Sequence, residues 1–509
     1  MSHKNLKKFR KKQAVAECVH PNKILTKKVL NEICIRRPTN IHELRRIPGV
    51  GPMCINKYGN NIIEIMLLED TEIFNIDDYI TPNTTLSDKQ KKALHLAYDG
   101  ENIFITGPGG VGKSFLIREI TKIIESKYDD IQITATTGCA AELLECNAKT
   151  IHSWSRVWGD INNSHNINRI LKDKTAKKRW NEVDVLVIDE ISMMSKKYFN
   201  TLNEVGQKLR NCTEPFGGIQ VIACGDFYQL PPVKESEYCF ESAVWNHMFP
   251  IENVIELNKV YRQSDKQFQK ILRHVRNGRI SESTWNILNS RKLENCIIDH
   301  KEELPTIISP LAKDCNRINK KKMDKLSGEA KIFEIEICNQ NMSTPTYIVD
   351  NEIEYLKSSI EDKLCLKVGA KVLCTANLDL ISSQQIVNGS QGVITRFSDN
   401  EYPIVKFGNG RTLEMKPYPI MSDNIEGLSI KYIPLIPCWA ITTHKSQGIT
   451  LDSAMINAGS ENFEYGQLYV ALSRVKSLDG LYLTSLDLGR IKNGVNPKVV
   501  QYYNSLSNK

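Results

Sequence analysis

The sequence predicts an α/β protein with a small all-helical region at its N-terminus. Residues 85–253 alternate helical segments with strand segments that are short, apolar and bounded by polar residues or glycine, as buried parallel strands are. The strand candidates in this part are NIFIT, IQITA, DVLVIDE and IQVIACGD. The second half contains further strand candidates of the same kind, namely VIEL, PTIIS, CWAITT, SAMIN and LYLTS. Strands that alternate with helices build sheets covered by helices, which is the α/β layer architecture.

One part of the second half has a different pattern, in which short strands are separated by glycine-rich turns. Residues 366–418 contain KVLCTAN, QGVITRF, YPIVKFG and RTLEMK, which are short strand candidates separated by the glycine-rich turns VNGSQG and GNG. Such spacing predicts a small antiparallel β-barrel inserted into the second α/β domain.

The N-terminal region has the grammar of short helices. In IHELRRIPGVGPMCINKYGNNIIEIM, Pro48, Gly49 and Gly51 interrupt an apolar helical pattern, which predicts a helix, a tight turn and a second helix. The first twelve residues, MSHKNLKKFRKK, carry six basic residues and no acid. We expect them to form a solvated basic tail, with a nucleic-acid arm or an import signal as the alternative.

The bulk composition limits the class of protein. At 509 residues the chain suits roughly three or four domains. A net charge of +8 permits a polyanionic partner without requiring one. The fourteen cysteines form no CxxC pair, which predicts buried thiols in a reducing compartment. No apolar run approaches the ~18 residues of a membrane helix and there is no signal-peptide core, so we expect an intracellular protein without membrane contact, in either cytoplasm or nucleus.

The stretch GPGGVGKS, residues 107–114, predicts a phosphate cradle. It follows a strand candidate and opens a helix, so backbone N–H groups and the helix N-terminus can face phosphate oxygens. Lys113 is expected to reach the β- and γ-phosphates, and Ser114 to bind Mg²⁺. We expect the nucleotide to contact Gly107, Pro108, Gly109, Gly110, Val111, Gly112, Lys113 and Ser114.

Acidic and amide side chains follow two further strand candidates. DVLVIDE ends in Asp189 and Glu190, at the strand end where α/β sheets bind ligands. Asp189 is suited to hold Mg²⁺, and Glu190 to orient and deprotonate the attacking water. Gln229 follows IQVIACGD, and its amide can sense a γ-phosphate because it both donates and accepts.

The motifs occur in the order LSDKQ, GPGGVGKS, ATTGCAAELL, TIHSW, VIDEISMM, PFGGIQVIACGDFYQLPPV, LNKVYRQSD, VNGSQGV, ITTHKSQGITL and YVALSRVKS. Together they resemble superfamily 1B DNA helicases, most closely the petite-integration-frequency (PIF) family, with RecD-like enzymes as cousins. The resemblance covers about residues 85–490. It implies two RecA-like P-loop domains with ATP and Mg²⁺ between them, and the small inserted β-barrel resembles the Src-homology-three-like insertion of that family.

The resemblance also implies roles for individual residues of the nucleotide site. Gln90, in LSDKQ, resembles the glutamine that reads the adenine ring. Arg262 and Arg474 resemble the arginines that reach the γ-phosphate from the second domain, where a guanidinium stabilises transition-state charge. From spacing alone, a surface ion pair is the favoured explanation of either arginine.

Two loops resemble the family's contacts to single-stranded DNA. Thr137, His152 and Ser153 lie on the first domain, and Thr443, His444, Lys445 and Ser446 on the second. Hydroxyls and cations beside backbone amides suit phosphate oxygens, which carry no sequence information. Trp154 can stack a base or be a core residue. A segment near 144–150 is the expected wedge that splits a duplex.

The N-terminal region resembles an HRDC domain, the helicase-and-RNaseD C-terminal module, through RRPTNIHELRRIPGVG and the following KYG. This resemblance implies an additional nucleic-acid or protein contact; a helical scaffold without binding is the alternative. The predicted organisation is an HRDC-like module with a basic tail at 1–72, a linker at 73–84, a first RecA-like domain at 85–253, a second at 254–365 and 419–509, and the barrel at 366–418.

The predicted function is an ATP-dependent DNA helicase that moves 5′ to 3′ on single-stranded DNA and unwinds forked DNA in replication, repair or recombination. We expect a monomer. Two alternatives stay open: a translocase that displaces proteins without separating strands, and a DNA-binding factor whose affinity is switched by ATP.

Overall fold

The computed structural model describes residues 2–17, 19, 21–67, 86–144, 146, 148–157, 164–296, 305–340, 344–357, 360–378, 385–422 and 425–507. The predicted linker at 73–84 lies outside the described residues, as do residues 145 and 147 of the expected wedge. The chain divides into two compact units. One comprises Met1–Asp99 with Glu119–Asp129, and the other Gly100–Arg118 with Asp130–Lys509.

The first unit is helical in its described residues. Its helices are α1 (Ser2–Ala16), α2 (Pro21–Ile24), α3 (Lys27–Arg36), α4 (Ile41–Arg45), α5 (Pro52–Leu67) and α6 (Asp88–Asp99). The predicted helix, turn and helix are confirmed: α4 and α5 flank a turn in which Gly49 has a φ of +90°. A Cβ at Gly49 would lie 2.5 Å from Cγ2 of Val29, so this turn requires glycine for both its angle and its packing.

The expectation of a solvated basic tail is wrong. Ser2–Ala16 form α1, in which Leu6, Arg10 and Ala14 are at most 3% exposed. These residues recur every four positions and therefore share one helical face, which packs into the core of the unit with Leu30 and Ile62. The basic residues between them dominate the composition and conceal this sparse apolar stripe.

The second unit begins with a parallel sheet. Its elements are β1 (Ile103–Thr106), α7 (Lys113–Ile124), β2 (Ile131–Ala135), α8 (Gly138–Leu143), β3 (Lys149–Thr150), α9 (Ile151–Ser155), α10 (Ser164–Lys172), α11 (Lys174–Glu182), β4 (Val185–Asp189), α12 (Lys196–Arg210), β5 (Gln220–Gly225), α13 (Ala243–Met248) and β6 (Val254–Glu256). The last turns of α7 belong to the first unit. The strand order is β3-β2-β4-β5-β1-β6, and every pairing is parallel. The four strands predicted for this part are confirmed.

The second sheet follows in the same unit. The elements of this half are α14 (Lys266–Arg276), α15 (Glu282–Ser290), β7 (Thr306–Ser309), α16 (Ala312–Asp324), β8 (Lys331–Glu334), β9 (Glu336–Asn339), α17 (Thr346–Lys357), β10 (Lys363–Leu366), β11 (Lys371–Cys374), β12 (Gln391–Phe397), β13 (Pro403–Phe407), β14 (Thr412–Glu414), β15 (Tyr418–Met421), β16 (Leu428–Tyr432), β17 (Leu435–Pro437), β18 (Ala440–Thr442), β19 (Ala454–Ala458), α18 (Gln467–Leu472), β20 (Leu481–Leu486), α19 (Leu488–Asn493) and α20 (Pro497–Ser507). The second parallel sheet has the order β18-β7-β19-β20.

The inserted strands form an open sheet instead of the predicted barrel. Their order is β14-β13-β12-β11-β17, all antiparallel, and among the described strands the edge strands β14 and β17 do not pair with each other. A closed barrel needs its first and last strands to hydrogen-bond to each other, and these two strands, of three residues each, end the sheet instead. Two smaller antiparallel sheets, β10-β8 and β15-β16-β9, lie beside this insertion in sequence.

Two segments that the sequence assigns to the second domain join the first sheet. Residues 254–256 form β6, which pairs with β1 at the edge of that sheet. The C-terminal helix α20 adds Val499 and Tyr503 to the aromatic core around Phe104 and Trp245. The second half of the chain therefore returns to the first sheet at its very end.

Candidate nucleotide site and nucleic-acid interface

The turn between β1 and α7 has a backbone that favours glycine. The φ angles of Gly107, Gly110 and Gly112 are +141°, +81° and +85°, where a side chain is strained. Helix α7 begins at Lys113, directly after this turn, so its free N-terminal N–H groups lie beside the turn. The predicted cradle thus has the backbone form that anion binding requires.

The segment that follows β6 lies directly on this turn. A Cβ at Gly107 would come within 2.2 Å of the Leu257 carbonyl oxygen, and one at Gly110 within 2.6 Å of Cβ of Arg262. The N–H groups of Tyr261 and Arg262 donate to the Gly110 carbonyl oxygen at 2.8 and 3.3 Å. The N–H of Arg262 and that of the residue before it therefore hold this segment against the cradle.

Two polar side chains also contact the turn. Nζ of Lys113 donates to the carbonyl oxygens of Gly107 and Pro108 at 2.8 and 3.1 Å. The N–H of Gly109 donates to the hydroxyl of Tyr469 at 2.9 Å. Tyr469 lies on α18, so a hydroxyl from the second sheet's helices reaches an N–H group of the cradle.

The acidic pair lies at the end of β4, where Asp189 is buried and Glu190 is half-buried. Oδ1 of Asp189 accepts a hydrogen bond from the N–H of Glu190 at 2.8 Å. Burial raises the pKa of Asp189, against the lowering effects of that N–H and of Lys113. Glu190 has a φ of +53°, a left-handed conformation that is uncommon for a residue with a side chain. Such angles cluster at functional sites.

Glu190 has the electrostatics of a proton acceptor. Burial and then the neighbouring Asp189 raise its pKa to about 7, while Lys113, Arg474 and the amide of Gln447 lower it. Its Oε2 has no hydrogen-bond partner within the described residues. A general base works best with a pKa near the working pH, and the unpartnered oxygen is available to a water molecule.

The two arginines expected from the second domain meet at one segment. Arg474 is 2% exposed, and its guanidinium donates to the Val470 carbonyl oxygen at 2.9 Å and to Oγ of Ser473 at 2.6 Å. Arg262 donates to the Ser473 carbonyl oxygen at 3.1 Å. Burial and then repulsion by Arg262 lower the pKa of Arg474 to about 9, with Glu190 opposing both. Arg474 is buried and Arg262 is half-buried. Two guanidiniums held on one segment are suited to an anionic ligand.

The residue types of the site fit a nucleoside triphosphate with Mg²⁺. The glycine turn can present backbone N–H groups to phosphate beside Lys113, and Asp189 carries a carboxylate. In the part of the chain that the structure describes, no group of three or more His, Cys, Asp or Glu side chains could hold a metal ion alone. A magnesium ion here would take its other ligands from phosphate and water, as is usual for Mg²⁺.

Gln229 lies in a loop that is fixed by Asp226. The backbone N–H of Gln229 donates to the Asp226 carbonyl oxygen at 2.8 Å, and its Nε2 to Oδ2 of Asp226 at 3.4 Å. The side chain is 4% exposed, so Gln229 is held in place and is not a free loop residue.

Gln90 belongs to the first unit, on α6. Its Oε1 accepts hydrogen bonds from the N–H and hydroxyl of Ser87 at 2.9 and 3.0 Å, and the residue is 3% exposed. Its reading of adenine stays a prediction.

The predicted DNA contacts of the first domain, at Thr137 and in the segment 152–154, are less accessible than the sequence suggests. Oγ1 of Thr137 caps α8 by accepting from the N–H of Ala140, and Ser153 is 4% exposed. Trp154 is 2% exposed and packs on Trp180, with ring centroids 4.8 Å apart. Trp154 is therefore a core residue, the alternative that the sequence left open, and cannot stack a base here.

His152 stays partly accessible in the same loop. Its ring packs 4.5 Å from that of Tyr198, and burial lowers its pKa to about 4. The imidazole is therefore neutral at physiological pH and would contact phosphate by a hydrogen bond instead of a full charge.

The predicted DNA loop of the second domain, residues 443–446, also contains both buried and accessible side chains. Thr443 and Ser446 are at most 1% exposed, and Oγ of Ser446 donates to the Thr443 carbonyl oxygen at 2.7 Å. Lys445 is exposed and His444 is half-buried. The hydroxyls thus shape the turn, and Lys445 and His444 are the side chains that can reach a ligand.

A groove lies between the two loops and the insertion. Its lining includes Gly138 beside Thr137, Lys445 of the second loop, and Leu373, Asn388 and Tyr432 of the inserted strands. The lining is mainly apolar and holds Lys445 together with the acidic Glu334 and Glu361. The apolar part suits nucleic-acid bases, and Lys445 suits a phosphate.

Comparison with known proteins decides the family. The family model of PIF1-like helicases matches residues 85–286, and that of the HRDC domain matches residues 3–66. The ATP-dependent DNA helicase Pif1 of Bdellovibrio bacteriovorus is 34% identical over 430 residues, which cover 82% of this chain and 91% of that protein. The chain belongs to the PIF1-like helicase family.

Other members of the PIF1-like family set the extent of the likeness. The ATP-dependent DNA helicase PIF1 of Danio rerio is 35% identical over 425 residues, or 82% of this chain and 62% of that protein, so the chain spans less than two thirds of that relative. The crystal structure of Pif1 helicase from Candida albicans aligns with a TM-score of 0.68 at 31% identity and covers 83% of this chain and all of that one. The α/β sheets are thus those of the RecA-like PIF1 fold.

The sequence missed several residues of this PIF1-like site. Gln447 in HKSQG faces Glu190, Tyr469 in YVALSR reaches Gly109, and Asp226 in GDFYQ holds Gln229. All three stand inside recognised motifs, and that position was the signal that could have found them.

No helix of the described residues is long and apolar enough to cross a membrane.

Proposed function

We propose that this chain is an ATP-dependent DNA helicase that moves 5′ to 3′ on single-stranded DNA and unwinds duplexes. The observation that carries this proposal is that three side chains lie close enough to Glu190 to lower the pKa of its carboxyl. They are Lys113 from the cradle, Arg474 from the ALSRV segment and Gln447 from the HKSQG loop. A protein that only switches its affinity with ATP does not need the HKSQG loop beside the catalytic carboxylate. A helicase does need such a loop, because it must tighten and loosen its hold on DNA in step with ATP hydrolysis.

The proposed chemistry assigns each group one task. ATP supplies a γ-phosphoryl group whose transfer to water releases free energy. Lys113 and the cradle N–H groups bind phosphate oxygens, and Ser114 and Asp189 would hold Mg²⁺. Glu190 accepts the proton of the attacking water, and Arg262 and Arg474 neutralise the charge that develops. Gln229 faces the γ-phosphate and Gln90 the adenine.

The link to DNA runs through one short loop. Lys445 lines the groove, while Gln447, two residues later, faces Glu190. The N–H of Gln447 also donates to the His444 carbonyl oxygen at 3.2 Å, which makes the loop a tight turn. A change at the catalytic carboxylate can therefore alter the position of Lys445, and this coupling supports translocation. The HRDC domain is proposed to add a second nucleic-acid or protein contact.

Strand displacement tests the proposal. Matched duplexes with a 5′ tail, a 3′ tail or no tail are incubated with the full chain, ATP and Mg²⁺, and ATP turnover is measured in parallel with and without single-stranded DNA. We expect DNA-stimulated turnover and preferential unwinding of the 5′-tailed duplex. Preference for the 3′ tail contradicts the polarity, and stimulated turnover without unwinding indicates a protein-displacing translocase. Absence of stimulation indicates a DNA-binding factor.

Lys113→Ala is the control for the nucleotide site. Loss of a cationic phosphate ligand is expected to lower turnover on the order of 100-fold or more, since preorganised electrostatic groups contribute this much to catalysis. Single-stranded DNA binding should persist because the groove residues are unchanged. A variant with normal turnover would exclude the cradle from the mechanism.

A further inference from the structure

A buried ion pair joins the Gln229 loop to the second half of the chain. The guanidinium of Arg276 donates to Oδ1 of Asp226 at 2.8 Å and to Oδ2 at 3.2 Å. Asp226 is fully buried and Arg276 is 7% exposed. Arg276 is the last residue of α14, whereas Asp226 follows β5 of the first sheet. The contact thus links the two α/β domains by a two-point hydrogen bond with fixed geometry.

The same carboxylate organises the loop that carries Gln229. The N–H of Tyr228 donates to Oδ1 of Asp226 at 3.2 Å, and Nε2 of Gln229 donates to Oδ2 at 3.4 Å. Arg276 and Gln229 therefore share one acceptor group. A shift of Arg276 moves the carboxylate that orients the amide of Gln229.

Tyr503 of the C-terminal helix closes this junction from another side. Its hydroxyl lies 2.5 Å from Oγ1 of Thr106, the last residue before the glycine turn, and accepts from the N–H of Phe227 at 3.3 Å. Its ring stacks on Tyr228, with centroids 4.9 Å apart. The guanidinium of Arg276 lies 4.2 Å from the centre of the Tyr228 ring and 5.5 Å from that of Tyr503.

We propose that Arg276 and Tyr503 are positioning residues for Gln229. They hold the loop at 226–229 between the end of β1, the C-terminal helix and α14, so that movement of α14 changes the angle at which Gln229 meets the nucleotide. This inference rests on the proposed function. It adds residues that lie outside the recognised helicase motifs and gives the last helix of the chain a role in coupling.

Packing alone does not explain the junction. A phenylalanine at 503 would fill the same space and keep the stacking on Tyr228, so the hydroxyl serves its two hydrogen bonds at Thr106 and Phe227. Its neighbour Tyr502 supplies a matched comparison. Its ring also packs on the loop, 5.6 Å from the ring of Phe227, but its hydroxyl accepts from Nε1 of Trp245 at 3.0 Å.

A double-mutant cycle tests the proposal in the full chain. Tyr503→Phe and Tyr502→Phe are each made in the wild-type and Gln229→Ala backgrounds, and kcat and KM for ATP are measured with saturating single-stranded DNA. We expect Tyr503→Phe to lower kcat about fivefold in the wild-type background but less than about twofold in Gln229→Ala, because the two residues act as one unit. Tyr502→Phe should change kcat by less than about twofold in both.

Arg276→Lys provides an independent second variant. It keeps the positive charge but loses the two-point geometry, so kcat should fall while KM for ATP changes little, again only when Gln229 is present. Equal losses in both backgrounds, or equal losses for Tyr502→Phe and Tyr503→Phe, would overturn the positioning role. A wild-type chain without DNA-stimulated turnover would contradict the proposed function itself, and the coupling role with it.

Discussion

At the scale of single residues, burial separates the loop side chains that can contact DNA from those that support the loop. Trp154 and Ser446 have the residue types of ligand contacts but are at most 2% exposed, whereas Lys445 is exposed at the edge of the groove. Residue type was readable from the sequence. Exposure was not readable, because the burial of Trp154, for example, depends on its packing against Trp180, which is 26 positions away along the chain.

This division predicts which substitution weakens DNA binding. Lys445→Ala should lower affinity for single-stranded DNA and reduce the slope of log affinity against log salt by about 0.7, the value for one lost phosphate contact. The affinity is measured by fluorescence anisotropy across a salt series. Lys208→Ala, at an exposed lysine on α12, should leave the slope unchanged. An unchanged slope in Lys445→Ala would remove this residue from the DNA contact.

His152 predicts a pH dependence of stability. Its pKa falls to about 4 in the folded chain, against 6.5 for an exposed histidine, because burial penalises the imidazolium. The unfolded chain binds the proton first, so stability from this residue is complete above pH 6.5 and is lost as pH falls to 4, by up to about 3 kcal/mol. In denaturant unfolding, the stability of wild type relative to His152→Asn should decline over this interval. A constant difference would contradict the prediction.

At the scale of elements, the strand bounds were largely predictable and the sheet partners were not. The segments IQITA and QGVITRF coincide with β2 and β12 because an apolar run ends at polar or glycine residues. Strand β6 resembles those of the second sheet in composition, yet it pairs with β1. Which sheet a strand joins depends on contacts distant in sequence, and a single sequence does not encode these in a readable pattern.

The start of α18 predicts a further effect on the Gln229 loop. Gly466 has a φ of +70°, and a Cβ there would lie 2.3 Å from the Gln229 carbonyl oxygen and 2.4 Å from that of Tyr228. Gly466→Ala should therefore displace the loop, with a lower kcat for DNA-stimulated ATP hydrolysis in addition to a backbone cost of about 1–2 kcal/mol.

The matched control for this prediction is Gly328→Ala. Gly328 has a φ of +106°, and a Cβ there would meet no atom within 4 Å. It carries the backbone strain of a left-handed alanine without the collision. Steady-state kinetics of both variants separate the two effects, and equal kcat values would show that the contact with the loop is unimportant.

At the scale of the whole molecule, the motifs identify the family while the connections between domains come only from the structure. The cradle and HKSQG are local strings, and their roles follow from their residue types. The junction of Arg276 with Asp226 joins positions 50 residues apart, and that of Tyr503 with Thr106 joins positions 397 apart. Neither Arg276 nor Tyr503 stands in a recognised motif, so these two contacts could not be predicted from the sequence.

The first unit carries a comparable hidden contact, which affects any deletion of the HRDC domain. Arg10 on α1 forms an ion pair with Asp129 and donates to the Leu25 carbonyl oxygen at 3.4 Å. The side chains are 3% and 17% exposed. Removal of residues 1–72 would therefore also leave Asp129 without this cation, and a loss of unwinding could not be assigned to the HRDC domain alone.

Substitutions in the full chain resolve this and make the last prediction. Asp129→Asn leaves the more deeply buried Arg10 charged, which costs about 3–5 kcal/mol for a buried pair that loses one partner. Arg10→Met removes the buried charge instead and should cost less, because Asp129 is more exposed to water. Hydrogen exchange of the α1 amides measures both. The exposed pair of Lys57 with Glu17 is the control, and Lys57→Met should leave the exchange of the α1 amides nearly unchanged, because solvent screens an exposed pair. A larger loss for Arg10→Met than for Asp129→Asn would show that the pair itself, and not the buried guanidinium, controls the docking of α1.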